Sequence, residues 1–460
     1  MGRMIRAPAR LILASALLLA PVAAQDDALT ARAHDVTALL VAHPAIVADI
    51  FDPAFLQAVP AAKLTALGAQ LFAQGGAVRS VSLVHRDSEW SGRFDVELEK
   101  GLLMPMTLTI TGAEPHRVAG LWFGPPVPLL ASLDEVAHAI AALPGRTTFL
   151  AARLGDGPPQ AIAASTPEQA LAIGSAFKLW MLAGLARDVR DGQHRWDEVI
   201  PLRAAWRSLP SGRLQDWPDG APITLHTLAT AMISESDNTA ADHLLFTLGR
   251  ERVEKLLPEL GVRDAEAGGK LDANLPLLST QELFRIKLSP GQQECATWCM
   301  LKTVASRRRY LVDVVAALPL SGPGTDPGAF AAPVQIDRIE WFASAADLVR
   351  TLDALRHLAE PVADAPPERD AAPLLGVLSV NPGLPAAREA FAWAGYKGGS
   401  ETGVLSLNWL LRAGDGQWYA LACAWNNSTS AVDEAQLTGL LSRALSLLAT
   451  QPQPAAAGPH

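Results

Sequence analysis

The sequence contains few cysteines: Cys295, Cys299 and Cys423 are the three among 460 residues. An odd number excludes a disulfide framework in which every thiol is paired. Cys295 and Cys299 lie four positions apart, but no histidine or further cysteine lies near them to complete a zinc site. We therefore interpret the thiols as small buried hydrophobic side chains, and no metal is implied.

Charged residues are also scarce, at 18% of the chain, and eight lysines stand against thirty arginines. The formal net charge is −9 and the basic residues are scattered, so the sequence gives no electrostatic support for a nucleic-acid partner. Hydrophobic residues make up 49% of the chain, which favours a large buried core.

The apolar run Leu11–Ala20 is too short to span a bilayer. It follows the basic residues of the first ten positions and precedes the small residues Val22 and Ala24, a pattern typical of a secretory signal peptide over residues 1–24. We expect a periplasmic or secreted protein. No lipid-accepting cysteine follows the signal, so no membrane anchor is expected.

The length favours more than one domain, since a domain usually has about 100–200 residues. Helical spacing over 29–50 and 55–72 precedes four short alternating runs, which predicts a small α+β domain over residues 25–128. The runs are 78–84, 93–98, 104–110 and 117–123. Prolines at 125, 126 and 128 mark its end.

A second domain is predicted over residues 129–450. It begins with a helix and a hairpin, continues as a long, mostly helical region, and ends with two strands and a helix. The expected elements are a helix over 133–143, strands over 147–154, 160–164, 401–411 and 418–425, and a helix over 431–449. Residues 451–460 are expected to be disordered.

A candidate nucleophile lies in Gly174-Ser-Ala-Phe-Lys178. Ser175 and Lys178 are three residues apart, so on a helix both side chains share a face. Lysine, unlike arginine, can readily lose a proton, and burial or a second cation lowers its pKa. Taken singly, Ser-x-x-Lys is more often a helix cap beside a solvated lysine.

Two further segments carry polar groups that suit the same chemistry. Ser236-Asp-Asn238 lies between two apolar helical segments, although a serine, aspartate or asparagine there is commonly a helix cap. Lys397-Gly-Gly399-Ser400 stands at the expected entry to a strand, where glycines let a ligand lie close to the backbone. By itself this segment predicts a turn.

In this order, the three segments resemble the motifs of class A β-lactamases and penicillin-binding proteins. The resemblance covers roughly residues 130–450 and implies an α/β (α+β) fold. In that fold, an antiparallel sheet with flanking helices accompanies an all-helical subdomain. The preceding domain resembles nuclear-transport-factor or steroid-isomerase-like α+β domains.

The resemblance also implies roles for individual residues. Ser175 would be acylated, with Lys178 as its activating amine and Ser236 as the proton relay to the leaving group. Lys397 would hold Ser236 and a substrate carboxylate by charge. Substrate would be bound by Asn238, by Gly399 and by Ser400, whose N–H group would join that of Ser175 in stabilising an oxyanion.

Two departures from the family pattern affect the expected function. The hydroxyl that many members place after the lysine is missing at Gly398, and Ser400 is the candidate replacement. The family uses a glutamate, followed four residues later by an asparagine, to activate the deacylating water. Asp264 and Glu266 are candidates for this role, but Lys270 stands at the asparagine position, and carboxylates in such a loop are more often solvated. Fast deacylation is therefore an open question.

The sequence thus predicts an exported serine hydrolase that acts on β-lactams or related amides and esters, a small-molecule substrate, without a cofactor. Within enzymes, the alternatives are a D-alanyl carboxypeptidase or an esterase of the same fold. A non-catalytic protein that binds β-lactams or cell-wall fragments is the alternative from another class.

Overall fold

A computed structural model of the protein describes residues 27–38, 48–124, 126–209, 211–264, 269–326, 328–364 and 366–451. The predicted signal peptide, nearly all of the predicted tail, and Glu266 lie outside the described residues. By its contacts the chain divides into two compact units, residues 1–126 and residues 127–460. Among the described residues, no helix combines the length and the apolar character needed to cross a membrane.

The first unit combines helices with an antiparallel sheet of order β1-β2-β3-β4. Its elements are α1 (Ala28–Thr37), α2 (Pro53–Ala58), α3 (Ala61–Gly75), β1 (Val78–Ser88), β2 (Ser91–Leu98), β3 (Leu102–Ile110) and β4 (Val118–Phe123). Alternate residues of β2, namely Phe94, Val96 and Leu98, are buried, as expected of a strand with one face on the core. All four predicted strands are present.

The second unit contains a sheet of order β12-β13-β14-β6-β7, all antiparallel. The strands of the second unit, five of which form this sheet, are β5 (Val127–Pro128), β6 (Arg146–Leu154), β7 (Gln160–Ser165), β8 (Leu171–Ala172), β9 (Val199–Pro201), β10 (Pro222–Thr224), β11 (Phe342–Ala343), β12 (Trp393–Glu401), β13 (Val404–Arg412) and β14 (Trp418–Asn426). The predicted hairpin β6–β7 is confirmed, and the predicted strand pair at the end is β13–β14.

Helices lie on both faces of this sheet, and the second unit contains twelve α-helices among its described residues. They are α4 (Leu133–Ala141), α5 (Lys178–Arg190), α6 (Leu225–Ser234), α7 (Asn238–Leu248), α8 (Arg250–Leu256), α9 (Thr280–Lys287), α10 (Gln293–Met300), α11 (Val304–Asp313), α12 (Ala345–Leu358), α13 (Pro373–Ser379), α14 (Pro385–Ala390) and α15 (Glu434–Ala449). Alternate residues of β14 enter different cores: Leu421 and Cys423 pack with α4 and α15, whereas Ala422 packs on the side of α5.

Helix α5 is the centre of the helical part of the second unit. Nearly all of its side chains are buried, including Trp180, Met181 and Leu182, so it is apolar on all sides where most helices have a solvated face. Helices α6, α7, α8 and α12 pack around it. The start of α5 is therefore held rigidly from several directions, and Lys178 is its first residue.

Candidate active site

Ser175 lies in a short 3₁₀ turn, Gly174–Phe177, that leads directly into α5. The Lys178 N–H group donates to the Ser175 carbonyl, a bond between residues three apart. Residues at this spacing in a 3₁₀ turn eclipse one another, so Ser175 and Lys178 share one side of the turn. The turn is anchored at its start, where the Ile173 N–H group donates to the Trp341 carbonyl (2.9 Å).

The Lys178 amine is completely buried and points into the loop between α6 and α7. Its Nζ donates to the Ser236 carbonyl (2.6 Å), to Ser236 Oγ (3.2 Å) and to Asn238 Oδ1 (2.6 Å). Burial, followed by the nearby charge of Lys397, lowers the pKa of Lys178 well below its ordinary value, although Asp242 and Asp237 oppose the shift. A lysine in this setting can be a neutral base.

Ser236 occupies the left-handed backbone region, with φ 58°, which is unusual for a residue with a side chain. Its carbonyl accepts a second bond, from Ser211 Oγ (2.7 Å). The next residue, Asp237, caps α7 through the Ala240 N–H group (2.8 Å) and also accepts from the Arg213 N–H group (2.8 Å). These bonds hold the loop in a conformation that turns the Ser236 hydroxyl toward the two lysines.

Lys397 supplies the second buried amine of the site. Its Nζ donates to Ser236 Oγ (3.0 Å) and to the Gly398 carbonyl (2.5 Å). Burial lowers the pKa of Lys397 to about 7. One serine hydroxyl therefore lies within hydrogen-bonding distance of two amines, each of which has a lowered pKa.

The backbone of β12 lies directly against the turn that carries Ser175. A Cβ atom on Gly399 would come within 2.5 Å of the Ser175 backbone nitrogen and 2.1 Å of the Ile173 carbonyl oxygen. A Cβ atom on Gly174, whose φ is 48°, would likewise come within 2.9 Å of the Ser400 backbone nitrogen. Glycines at 174 and 399 permit this approach, which brings the N–H groups of Ser175 and Ser400 to one place.

A cavity of about 570 Å³ opens at this point. Six of the seven predicted site residues line it: Ser175, Ser236, Asn238, Lys397, Gly399 and Ser400. Lys178 lies beneath them and reaches the cavity wall through its bonds to Ser236 and Asn238. The structure therefore brings all seven residues together, although they span more than 220 positions of the sequence.

A model of the beta-lactamase enzyme family matches residues 132–366 of this chain, which is half of its length. The chain belongs to the beta-lactamase enzyme family. The resemblance predicted from the motifs is thereby confirmed, together with the β-lactamase-like fold and the assignment as a serine hydrolase. The match includes Ser175, Lys178, Ser236 and Asn238 but ends before Lys397.

Solved structures of similar proteins cover about two thirds of this chain. A beta-lactamase from Sphaerobacter thermophilus is 20% identical, with a TM-score of 0.46, over 69% of this chain and 95% of that one. A beta-lactamase from Chitinophaga pinensis is 16% identical, with a TM-score of 0.43, over 68% of this chain and 96% of that one. PBP-A is 14% identical, with a TM-score of 0.43, over 68% of this chain and 92% of that one. No curated protein sequence matches this chain.

The structure corrects one expectation and bears on two candidate residues of this β-lactamase-family protein. Lys397, Gly398 and Gly399 lie inside β12, not in a turn at the entry to a strand. The amide of Asn238 is already engaged, since Oδ1 accepts from Lys178 and Nδ2 donates to the Leu209 carbonyl (3.0 Å). Asp264 is not among the described residues that line the cavity.

Sequence reasoning missed several residues that line the same cavity. Ser211, which donates to the Ser236 carbonyl, lies in a loop without a motif. Glu340 and Glu401 line the cavity and share an ion pair with the buried Lys287. No local pattern marks this ion cluster, since 53 positions separate Lys287 from Glu340 and 61 separate Glu340 from Glu401. Only the scarcity of lysine could have drawn attention to Lys287.

Proposed function

We propose that the protein is an exported serine hydrolase in which Ser175 forms an acyl-enzyme with β-lactams or with related amides or esters. The observation that carries the proposal is the position of Ser236 Oγ, 3.2 Å from the Lys178 amine and 3.0 Å from the Lys397 amine. This arrangement lies in the wall of a cavity that Ser175 also lines. Membership of the beta-lactamase enzyme family supports the reaction class.

The lowered pKa of Lys178 supports a role as the base of the acylation step. In this mechanism the neutral amine takes the proton of Ser175 Oγ while the Oγ–carbon bond forms. The carbonyl oxygen becomes an oxyanion, which the N–H groups of Ser175 and Ser400 stabilise. Preorganised donors of this kind are typically worth about 3–4 kcal/mol each in the transition state.

The contacts of Ser236 support a relay of the proton to the leaving group. When the carbon–nitrogen or carbon–oxygen bond of the substrate breaks, the leaving atom takes a proton from Ser236 Oγ. Lys178 then gives Ser236 Oγ the proton that it took from Ser175. The proton removed from Ser175 is thereby delivered without a net change in the enzyme. A charged Lys397 stabilises the negative charge that develops on Ser236 during the transfer.

Recognition of a substrate carboxylate rests on few groups. Among the described residues that line the cavity, Lys397 is the single lysine or arginine. The neighbouring positions are Gly398 and the apolar Leu405 and Leu407. We therefore include neutral amides and esters among the substrates, together with β-lactams, which carry a carboxylate.

The direct test is covalent labelling with a fluorescent penicillin, supported by intact-mass measurement with a panel of β-lactams and a neutral activated ester. We expect a mass increase that corresponds to one acyl group and is abolished in Ser175→Ala. Ser446→Ala, whose hydroxyl bonds within α15 to the Ser442 carbonyl, provides a matched control that retains labelling. Absence of any adduct across the whole panel would refute the proposal.

The lifetime of the adduct distinguishes the enzymes of this fold. Continuous hydrolysis of penicillin with a short-lived adduct favours a β-lactamase. A long-lived penicillin adduct together with turnover of an ester favours a D-alanyl carboxypeptidase or esterase. Reversible binding without an adduct, with affinity unchanged in Lys178→Ala, favours a binding protein.

Export is a separate part of the proposal and rests on the pattern of residues 1–24. Cleavage after Ala24 would leave Gln25 as the first residue of the mature chain. Expression of the full chain in a Gram-negative host, followed by fractionation and N-terminal sequencing, tests it. Retention of the uncleaved chain in the cytoplasm would contradict this part alone.

A further inference from the structure

The hydroxyl of Tyr396 lies where the family motif lacks one in this chain. A Cβ atom on Gly398 would come within 2.1 Å of Tyr396 Oη and 2.9 Å of Tyr396 Cζ. The two residues are two positions apart in β12, so they lie on the same face of the strand. The phenol of Tyr396 therefore fills the space in which a serine or threonine side chain at position 398 would begin.

The ring of Tyr396 is held firmly between its neighbours. It packs against Trp409, directly opposite in β13, with ring centroids 4.9 Å apart. A Cβ atom on Gly383 would lie 2.7 Å from Tyr396 Cδ2, so the loop before α14 also touches the ring. That loop is fixed in turn, because Trp409 Nε1 donates to the Pro382 carbonyl (2.9 Å) and the Gly383 N–H group donates to Asn381 Oδ1 (2.9 Å). These contacts set the position of the hydroxyl.

Packing accounts for the ring of Tyr396 but not for its hydroxyl. The residue lines the cavity together with Ser175 and Lys397, and none of the residues that the structure describes forms a hydrogen bond with Oη. A hydroxyl withdrawn from water usually has a partner, because leaving it unpaired costs free energy. Burial, and after it the charge of Glu434, raises the pKa of Tyr396, so the hydroxyl keeps its proton. It is therefore a donor available to a ligand in the cavity.

The position of this hydroxyl corresponds to the leaving group of a substrate. Tyr396 and Gly398 stand on either side of Lys397, whose Nζ donates to Ser236 Oγ (3.0 Å), the proposed proton donor to the leaving group. Ser400, whose N–H group is a proposed oxyanion donor, lies further along β12. A substrate whose carbonyl oxygen is held there extends its leaving group toward Lys397 and Tyr396.

The surroundings of Tyr396 are unfavourable for a carboxylate. The apolar Leu405 and Leu407 line this part of the cavity from β13, and Glu434 lines it from the start of α15. The other glutamates of the cavity are paired with lysine or arginine, whereas Glu434 has no ion pair among the described residues. A carboxylate bound here would leave water to meet apolar side chains and a like charge.

We propose that Tyr396, and not Ser400, supplies the missing hydroxyl and is a specificity-determining residue for the leaving group. Together with Glu434 it selects amides and esters whose leaving group carries an uncharged hydrogen-bond acceptor, such as a carboxamide, over those in which it carries a carboxylate. This inference rests on the proposed function, because it requires Ser175 to attack the bond to that leaving group.

The test uses three esters of one acyl group, whose leaving alcohols carry a carboxamide, a carboxylate or a methyl group at the same position. Alcohol release in the first turnover is measured for each ester and divided by its rate of hydrolysis in base, which corrects for intrinsic reactivity. We expect the wild-type protein to prefer the carboxamide ester to the carboxylate ester.

Tyr396→Phe keeps the contacts of the ring and removes the hydroxyl. We expect its rate with the carboxamide ester to fall about 3–10-fold, the effect of one hydrogen bond between uncharged groups. The rate with the methyl ester, which has no acceptor for the hydroxyl, should stay unchanged and also shows that the variant is folded. Tyr419→Phe is the matched control, because Tyr419 is buried in β14 against Phe391, and all three of its rates should equal those of the wild type.

Glu434→Gln tests the effect of charge. We expect the rate with the carboxylate ester to rise about 2–5-fold relative to that with the carboxamide ester, as is typical of a single charge near solvent. The difference between the variant and the wild type should shrink as salt is added, because salt screens such charges. If Glu434 serves only to stabilise the first turn of α15, the substitution will change stability but not this ratio.

The outcomes separate this inference from the proposed function. If the wild-type protein reacts with none of the three esters and forms no adduct with penicillin, the proposed function fails. If the wild type reacts and Tyr396→Phe changes all three rates equally or not at all, the proposed function stands and the role of Tyr396 is wrong. Wild-type preference for the carboxylate ester would overturn the proposed selectivity. A loss in Tyr396→Phe that spares the methyl ester supports the assignment.

Discussion

Replacement of Gly399 by alanine tests the contact between β12 and the turn of Ser175. The added Cβ would lie 2.1 Å from the Ile173 carbonyl oxygen and 2.5 Å from the backbone nitrogens of both Ser175 and Ala176. All three atoms belong to the backbone, so no side-chain rotation relieves the overlap. Either the strand or the turn must move.

The size of this movement follows from ordinary contact distances. Non-bonded heavy atoms are in favourable contact at about 3.5–4.0 Å, so β12 and the turn must separate by roughly 1 Å. A displacement of this size at a reacting centre can lower the rate by about 100-fold. The loss of one oxyanion donor costs about 10²–10³-fold. We therefore expect Gly399→Ala to slow acylation by roughly two orders of magnitude, with a stability cost of about 1–3 kcal/mol from overpacking.

The assay is the rate of labelling by a fluorescent penicillin before steady state, together with urea unfolding of the same preparations. Gly414→Ala is the matched control, because Gly414 lies in the turn between β13 and β14 and a Cβ there has no atom within 4 Å. It should label at the wild-type rate. A folded Gly399→Ala protein that also labels at the wild-type rate would refute the assignment of the Ser175 and Ser400 N–H groups as the oxyanion donors.

The remaining predictions concern the buried polar groups. Lys178→Met removes the base and should lower the acylation rate about 10²–10⁴-fold, measured by the same labelling, and wild-type labelling would contradict its role. Because burial lowers the pKa of Lys397 from 10.5 to about 7, the unfolded chain binds more protons between these values, so the free energy of unfolding should rise with pH there. Lys397→Met should reduce that slope in urea titrations at several pH values, and an unchanged slope would argue against the lowered pKa. Asp242 accepts from the N–H groups of Thr280 and Gln281 with different oxygens, so Asp242→Asn turns one acceptor into a donor and should cost about 1–3 kcal/mol in thermal or urea unfolding.

Local sequence patterns were sufficient where neighbouring residues set the structure. The spacing of Ser175 and Lys178, the hairpin β6–β7 and the alternation of β2 depend on backbone geometry within a few residues. The order of the three motifs then indicated the family, which the match over residues 132–366 confirms. These features require no knowledge of what each segment packs against.

Other features depend on contacts between distant segments. Lys397 lies within a strand, not a turn, because β12 pairs with β13 from Trp393 to Glu401. The sequence did not predict this pairing, because glycines are uncommon in strands. The Asn238 amide is engaged because α5 brings Lys178 beneath it.

The sequence by itself determined which residue types are available for acyl transfer and in which order they occur. Tertiary structure alone decided the protonation of these side chains and which other side chains lie beside them. A lysine has a lowered pKa only when folding removes it from water, as it does for Lys178 and Lys397. The association of Lys287 with Glu340 and Glu401 likewise arises because α9, the segment before β11, and β12 meet at one cavity, and no local pattern encodes that meeting.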